Sequence, residues 1–246
     1  MDVMEKIDLG LIGIVNEAAR RDYWGTMARV AAAGYRGIEG DEDALLAGDV
    51  AANLARFHDL GLRVLAIGGT REALRGHLPR LIARAHALQA DRVCCWWAPA
   101  ESRDQLLADA EIYNAAGAAL AAEGIRLCYH HHAHELQTFF NGVAALDLLA
   151  AHTDPQALFF EVDIAWATVG GEDPVRLLHR YAGRVPAIHV KDICAAGPSP
   201  VFTALGTGVV DVAGSVRAAI ATGVPWAVVE QDRLRNLDAF QTITLG

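Results

Sequence analysis

The chain has 246 residues, 53% hydrophobic and 21% charged, a composition that supports a sizeable core and excludes an intrinsically disordered chain. Its formal net charge is −9 and its basic residues are scattered, which argues against a nucleic-acid partner, since that needs a positive footprint. No apolar run reaches the roughly 18 residues of a membrane span, and the opening Met-Asp-Val-Met-Glu-Lys lacks the basic-then-apolar order of a leader, so a cytoplasmic protein without a membrane partner is expected. Cys94, Cys95, Cys128 and Cys194 lie in or beside apolar runs with no Cys-x-x-Cys spacing, and buried reduced thiols are expected.

The predicted elements alternate from the start. Asp8 to Val15 reads as a strand and Asp22 to Ala33 as a helix ending at Gly34; Tyr35 to Glu39 is a strand and Val50 to Leu60 a helix closed by Gly61. Leu62 to Ile67 and Glu72 to Gln89 repeat the pattern, as do Arg92 to Trp97 and the alanine-rich Arg103 to Glu123, closed by Gly124. Arg126 to Tyr129 is followed by a helix from about Val143 to Ala151, and Leu158 to Val162 by one from Pro174 to Tyr181, with Asp173 as N-cap and Pro174 in the first turn. Val185 to Val190 precedes a helix from Val212 to Ala221, and Trp226 to Val229 a last helical stretch near Asp238.

Strict alternation implies parallel strands joined by helical crossovers. Eight repeats in this length predict a single-domain α/β fold spanning residues 1–246, the closed (β/α)8 TIM barrel, over an open sheet. Leu9-Gly-Leu-Ile-Gly13 is not the glycine fingerprint of a dinucleotide fold.

Chemistry in such a barrel gathers where strands run out at the C-terminal face. The second strand ends in Glu39 and the fourth in Trp96-Trp97. The fifth ends in Tyr129-His-His-His-Ala-His-Glu135, where alternation places His130 and His132 on one side and His131 on the other. The sixth ends in Glu161-Val-Asp163, the seventh in His189-Val-Lys-Asp192 and the eighth in Glu230-Gln-Asp232. Four successive strands thus end in His, Asp or Glu, a donor set suited to Mn²⁺, Co²⁺, Zn²⁺ or Mg²⁺. Trp96 or Trp97 fits either packing or an apolar floor for a sugar ring.

From Cys128 to Asp232 the chain resembles the xylose isomerase-like barrels, the sugar phosphate isomerase/epimerase superfamily with its ketose 3-epimerases and inosose dehydratases. The resemblance is carried by Tyr129-His-His-His, Phe160-Glu-Val-Asp-Ile-Ala-Trp166, Gly170-Gly-Glu-Asp-Pro174, Tyr181-Ala-Gly-Arg-Val-Pro186, Ile188-His-Val-Lys-Asp192, Gly206-Thr-Gly-Val-Val-Asp211 and Val229-Glu-Gln-Asp232. It implies one divalent metal ion held by Asp163, His189, Glu230 and an acid from strand five, here Glu135, with His132 or His130 as the fallback. It further implies Glu135, Glu230, His132 and Lys191 as catalytic residues, and His130, Glu161, Trp97 and Trp166 as contacts to a small carbohydrate.

The implied reaction is sugar isomerisation or epimerisation by proton abstraction next to a carbonyl through an enediolate. The alternative is dehydration or lyase chemistry on a keto-inositol or 3-keto-glycoside, which the histidine-rich strand five resembles; a silent sugar-binding barrel and a repair endonuclease rank lower. Relatives of this kind imply a homo-dimer or homo-tetramer. Gly206-Thr-Gly208 reads equally as a phosphate cradle or a plain turn.

Overall fold

A computed structural model describes residues 7–40, 42–197, 199–232 and 238–244. The opening residues 1–6, from which the absence of a leader was read, lie outside them. Eight parallel strands close into a barrel: β1 (Asp8–Ile12), β2 (Gly37–Glu39), β3 (Arg63–Gly68), β4 (Arg92–Cys95), β5 (Arg126–His130), β6 (Leu158–Asp163), β7 (Ala187–Val190) and β8 (Trp226–Val229), each paired with its chain neighbours and β8 with β1. This is the single (β/α)8 domain expected from the alternation.

Alternation of side chains along each strand divides the core in two. Outward residues such as Leu127, Phe160, Val162, Ile188 and Val229 join the large apolar layer under the helices. Inward residues are stacked by height. Leu65, Ala187, Trp226 and Val228 pack low in the barrel, where Leu65 fills space left by Gly10 and Gly37, whose added Cβ atoms would lie 2.7 Å and 2.5 Å from it. Ala66, Cys94 and Cys128 form a second apolar patch. Above these, the inward positions turn polar as the strands end.

The element boundaries differ from expectation where local chemistry intervenes. β1 stops at Ile12 because Gly13 turns the chain at φ +76°, and a short helix, Asn16–Arg21, follows. The long helix expected from Glu72 to Gln89 is two, Arg71–Gly76 and Leu78–Leu88, because Pro79 cannot donate within a continuing helix and instead sits in the first turn of a new one. β4 ends at Cys95, before the two tryptophans. The helix expected from Val143 begins at Ala145, since Val143–Ala144 pairs with Phe139–Phe140 as a small antiparallel ribbon. Cys94, Cys95 and Cys128 are buried free thiols, whereas Cys194 is exposed, on the loop after β7. Among the described residues, no helix is long and apolar enough to cross a membrane.

Candidate metal centre

Four strand ends meet at one point. His130 closes β5, Asp163 closes β6, His189 lies in β7 and Glu230 follows β8, and one ligand atom from each lies within 4.8 Å of the others. The histidine rings are oriented by what lies beneath them. His189 turns Nδ1 to Glu230 Oε2 at 2.7 Å, while its Nε2 is 3.1 Å from Glu39 Oε2 and 3.1 Å from Glu161 Oε2. His130 has Nε2 3.7 Å from Asp163 Oδ2 and Nδ1 3.5 Å from Glu161 Oε2. Each imidazole therefore has one nitrogen at the cluster and the other over a buried carboxylate, the arrangement that fixes a metal-ligating histidine.

Asp163 is held at both oxygens. Oδ1 caps the helix Ile164–Val169 by accepting from the Trp166 N–H at 2.7 Å, and Oδ2 faces Lys191 Nζ at 2.8 Å. Its own N–H donates to His131 Nε2 at 3.2 Å, which leaves His131 Nδ1 protonated and donating to the His132 carbonyl at 3.1 Å. Burial lowers the His131 pKa to about 4, so the ring is neutral and acts as a brace for Asp163.

Lys191 is buried, with Nζ 2.6 Å from Glu230 Oε2 and 3.2 Å from Asp232 Oδ1. Burial alone would lower its pKa, but Asp163, Glu230 and Asp232 overcome that and hold the ammonium charged. Burial likewise opposes ionisation of Glu161 and Glu230. His189 and His130 pull Glu161 well below the usual carboxylate range, and Lys191 and His189 do the same for Glu230. Asp232, at the rim, is pushed up to about 6 by burial, against the pull of Lys191.

These residues fit a divalent cation. Glu161 Oε1 and His130 Nδ1 are buried without a hydrogen-bond partner among the described residues, and Asp163 Oδ2 makes ion-pair contacts but no hydrogen bond. Among the described residues inside the barrel, the carboxylates of Glu39, Glu161, Asp163 and Glu230 outnumber the fixed cations Lys191 and Arg92 paired with them, and the three that touch His189 push that ring toward its cationic form. Uncompensated charge is costly to bury, and a doubly charged ion would cancel it.

The expected site residues are thus partly reunited. Asp163, His189 and Glu230 converge as expected, and His130 is the strand-five member of the group. Glu135, expected there as ligand and base, is turned away: Oε1 accepts from Tyr129 Oη at 2.7 Å, Oε2 accepts from the His132 N–H at 2.8 Å, and His134 Nδ1 lies 3.2 Å off. It lies in the first turn of the short helix His134–Gln137, beyond the connection 131–133 that follows β5, and its carboxylate is held by that connection and by Tyr129. Glu161, expected against substrate, is wholly buried beneath the histidines and accepts from Cys94 Sγ at 3.2 Å. Trp97, expected as a sugar floor, is 61% exposed at the rim, its ring 5.9 Å from His134.

His132 does face the cluster, its ring 4.9 Å from His130 and 5.4 Å from Trp166. Burial, then His130 and Lys191, lower its pKa to about 2, and its Nδ1 is buried with no hydrogen-bond partner among the described residues. Trp166 and Phe202 form an aromatic wall, with Lys191 Nζ 5.7 Å and 5.9 Å from the two rings.

Sequence reasoning missed Phe202 and Arg92. Phe202 comes from the second strand of the ribbon Asp192–Ile193/Phe202–Thr203, and that strand carries no motif. Arg92 had a signal: a lone charge at an inward position of the otherwise apolar run Arg92-Val-Cys-Cys95. Gly206-Thr-Gly208 is a plain turn, since the Gly208 N–H is taken by Asp192 Oδ2 at 2.8 Å.

The chain has the fold of the xylose isomerase-like TIM barrels. Over 99% of its length it superposes on 93% of a sugar phosphate isomerase/epimerase from Parabacteroides distasonis ATCC 8503, with a TM-score of 0.81 at 22% identity. An L-ribulose 3-epimerase structure matches 98% of the chain and 92% of its own, with a TM-score of 0.71 at 20% identity. At these identities the likeness shows the fold. Among curated proteins, the inosose dehydratase of Geobacillus kaustophilus (strain HTA426) is 41% identical over 70 residues, 28% of this chain and 22% of that protein. The inosose dehydratase of Clostridium beijerinckii is 25% identical over 139 residues, 56% of this chain and 42% of that protein. Less than half the length of either relative is matched, and no protein-family model matches the sequence.

Proposed function

We propose that this chain is a divalent-metal-dependent enzyme that eliminates water from a polyhydroxylated ketone, a keto-cyclitol or a keto-sugar. His130, Asp163, His189 and Glu230 would hold the ion, and two imidazoles with two carboxylates favour Mn²⁺, Co²⁺ or Zn²⁺ over Mg²⁺. Bound there, the cation would supply Lewis-acid polarisation of a carbonyl.

The observation that carries elimination is the state of the bases. An epimerase needs one on each face of the carbon, and Glu135, the expected second carboxylate, is tied to Tyr129 and the His132 backbone. What faces the cluster is His132, a neutral imidazole with an unpartnered nitrogen. One such base takes the proton beside the ketone, its imidazolium, disfavoured in the unliganded site, being stabilised by the negative charge that forms on the substrate, and returns that proton to a β-hydroxyl on the same face, so that water leaves. Lys191, permanently cationic, balances negative charge developing on substrate oxygen, and Trp166 with Phe202 offers an apolar wall to a ring face. The match to inosose dehydratases supports the same reading.

Isomerisation or epimerisation is the second reading, favoured by Glu230, which reaches the cluster from the strand end opposite β5 in the ligand set and is a carboxylate base in its own right. Metal-loaded protein incubated in D₂O with inososes and keto-sugars separates the two. Loss of one water from the product supports elimination; deuterium uptake with no mass lost as water supports epimerisation and overturns it. His132→Gln is expected to abolish turnover while leaving the metal content unchanged.

A further inference from the structure

All four candidate ligands come from β5 to β8, yet the ring of His189 is steered from the other half of the barrel. His189 Nε2 has two carboxylate oxygens at the same 3.1 Å, from Glu39 and Glu161, but only Glu39 stands where the ring N–H points, so only that contact is a hydrogen bond. Glu39 closes β2. Its other oxygen, Oε1, accepts from Arg92 at 2.6 Å, and Arg92 opens β4. Glu39 and Arg92 are only 2% and 1% exposed. The carboxylate is thus clamped at both ends, by a guanidinium and by the imidazole, and cannot turn without breaking one of two buried hydrogen bonds.

We propose that the Glu39–Arg92 pair is the positioning device of the metal centre: it fixes the ring of His189 so that Nδ1 is the nitrogen offered to the cation, and thereby sets the affinity of the site. A carboxylate behind a ligating imidazole fixes its tautomer and raises its basicity, and losing such a support costs about 10–100-fold in metal affinity. Arg92 acts one step further back, by holding the carboxylate plane. The competing view is that the pair only fills the barrel floor, in which case removing it lowers stability and leaves the metal untouched.

The inference rests on the metal-dependent reading above, and Co²⁺ titration of the whole chain keeps the two apart. Affinity is measured by competition with a coloured chelator, and ligand geometry by the visible absorption of bound Co²⁺. Glu39→Ala is expected to weaken binding about 100-fold and Glu39→Gln, which retains an acceptor for the ring N–H, about 10-fold, with altered Co²⁺ spectra. Arg92→Met is expected to weaken it as well, and Arg92→Lys to recover part of the loss. Gly117→Ala, whose added Cβ would strike the Ala157 carbonyl at the end of β6 opposite Asp163, serves as the destabilised control and binds Co²⁺ as the parent does. Parent-like affinity and spectrum in the folded Glu39 variants overturn the inference while the metal reading stands. Should the parent protein itself take up no Co²⁺, both fall.

Discussion

Glu135 shows how far a single side chain can be displaced in role by the turn that carries it. Its two oxygens serve Tyr129 and the His132 backbone, and burial raises its pKa against the pull of His134 and those donors. Tyr129→Phe removes the hydroxyl from a buried acceptor. The expected loss is about 1–3 kcal/mol of stability, the cost of leaving such a group unsatisfied, read as a shift in the urea midpoint at unchanged slope. Metal content should not change, because Glu135 stands outside the ligand group. The residue types of the centre were legible because alternation along a strand is a hard rule: Glu161 and Asp163 had to share a face, and so did His130 and His132. Their depth was not legible. Nothing in the order Glu161-Val-Asp163 says that the first residue lies beneath the imidazoles and the second beside them, since that depends on the tilt and stagger of the closed barrel.

At the level of elements, two close approaches carry the architecture around the site. The helix Arg103–Ala122 meets the turn before β6 at Gly117, where an added Cβ would lie 2.0 Å from the Ala157 carbonyl oxygen. The obstacle is backbone, so Gly117→Ala must push the helix outward, and overpacking of this kind costs about 1–3 kcal/mol; thermal unfolding reads it directly. After β7, Asp192 gathers the loop that bears Phe202. Its Oδ1 accepts from the Ile193 and Val210 N–H groups at 2.8 Å and 3.1 Å, and its Oδ2 from Gly208. Asp192→Asn replaces one acceptor by a donor facing an N–H. The loop, with Phe202 upon it, is expected to exchange its amide hydrogens faster while the barrel amides keep their protection. The repeating strands and helices were readable from periodicity, because each buries one apolar face. The ribbons and the helix Ile164–Val169 were not, because they are held by capping and tertiary contacts, such as Asp163 to the Trp166 N–H, that leave no period behind.

For the whole molecule, four of the five tyrosines report on the integrity of the fold. Burial raises the pKa of Tyr35 from 10.0 to about 12, and burial likewise raises Tyr113, Tyr129 and Tyr181. A raised pKa means that the folded state prefers the neutral phenol. The stability this adds is complete below the unfolded value of 10.0 and is lost as the pH climbs toward the folded ones. Phenolate absorbance is therefore expected to appear late and together with loss of the circular-dichroism signal, where free tyrosines would ionise first. A cation held at the candidate centre would add a second global readout. A cation that binds only the folded chain stabilises it by about 2.7 kcal/mol at 100 times its Kd, so exhaustive chelation should lower the melting temperature and addition of Mn²⁺, Co²⁺ or Zn²⁺ restore it.

That every candidate ligand comes from β5 to β8 divides the labour of the barrel. The loops after β1, β3 and β4 supply none of the four, so they can be lengthened, shortened or exchanged without dismantling the chemistry opposite. A designer seeking a new substrate for this scaffold would recut the mouth on that side and leave the engine alone, provided the Glu39 strut at the end of β2 is kept.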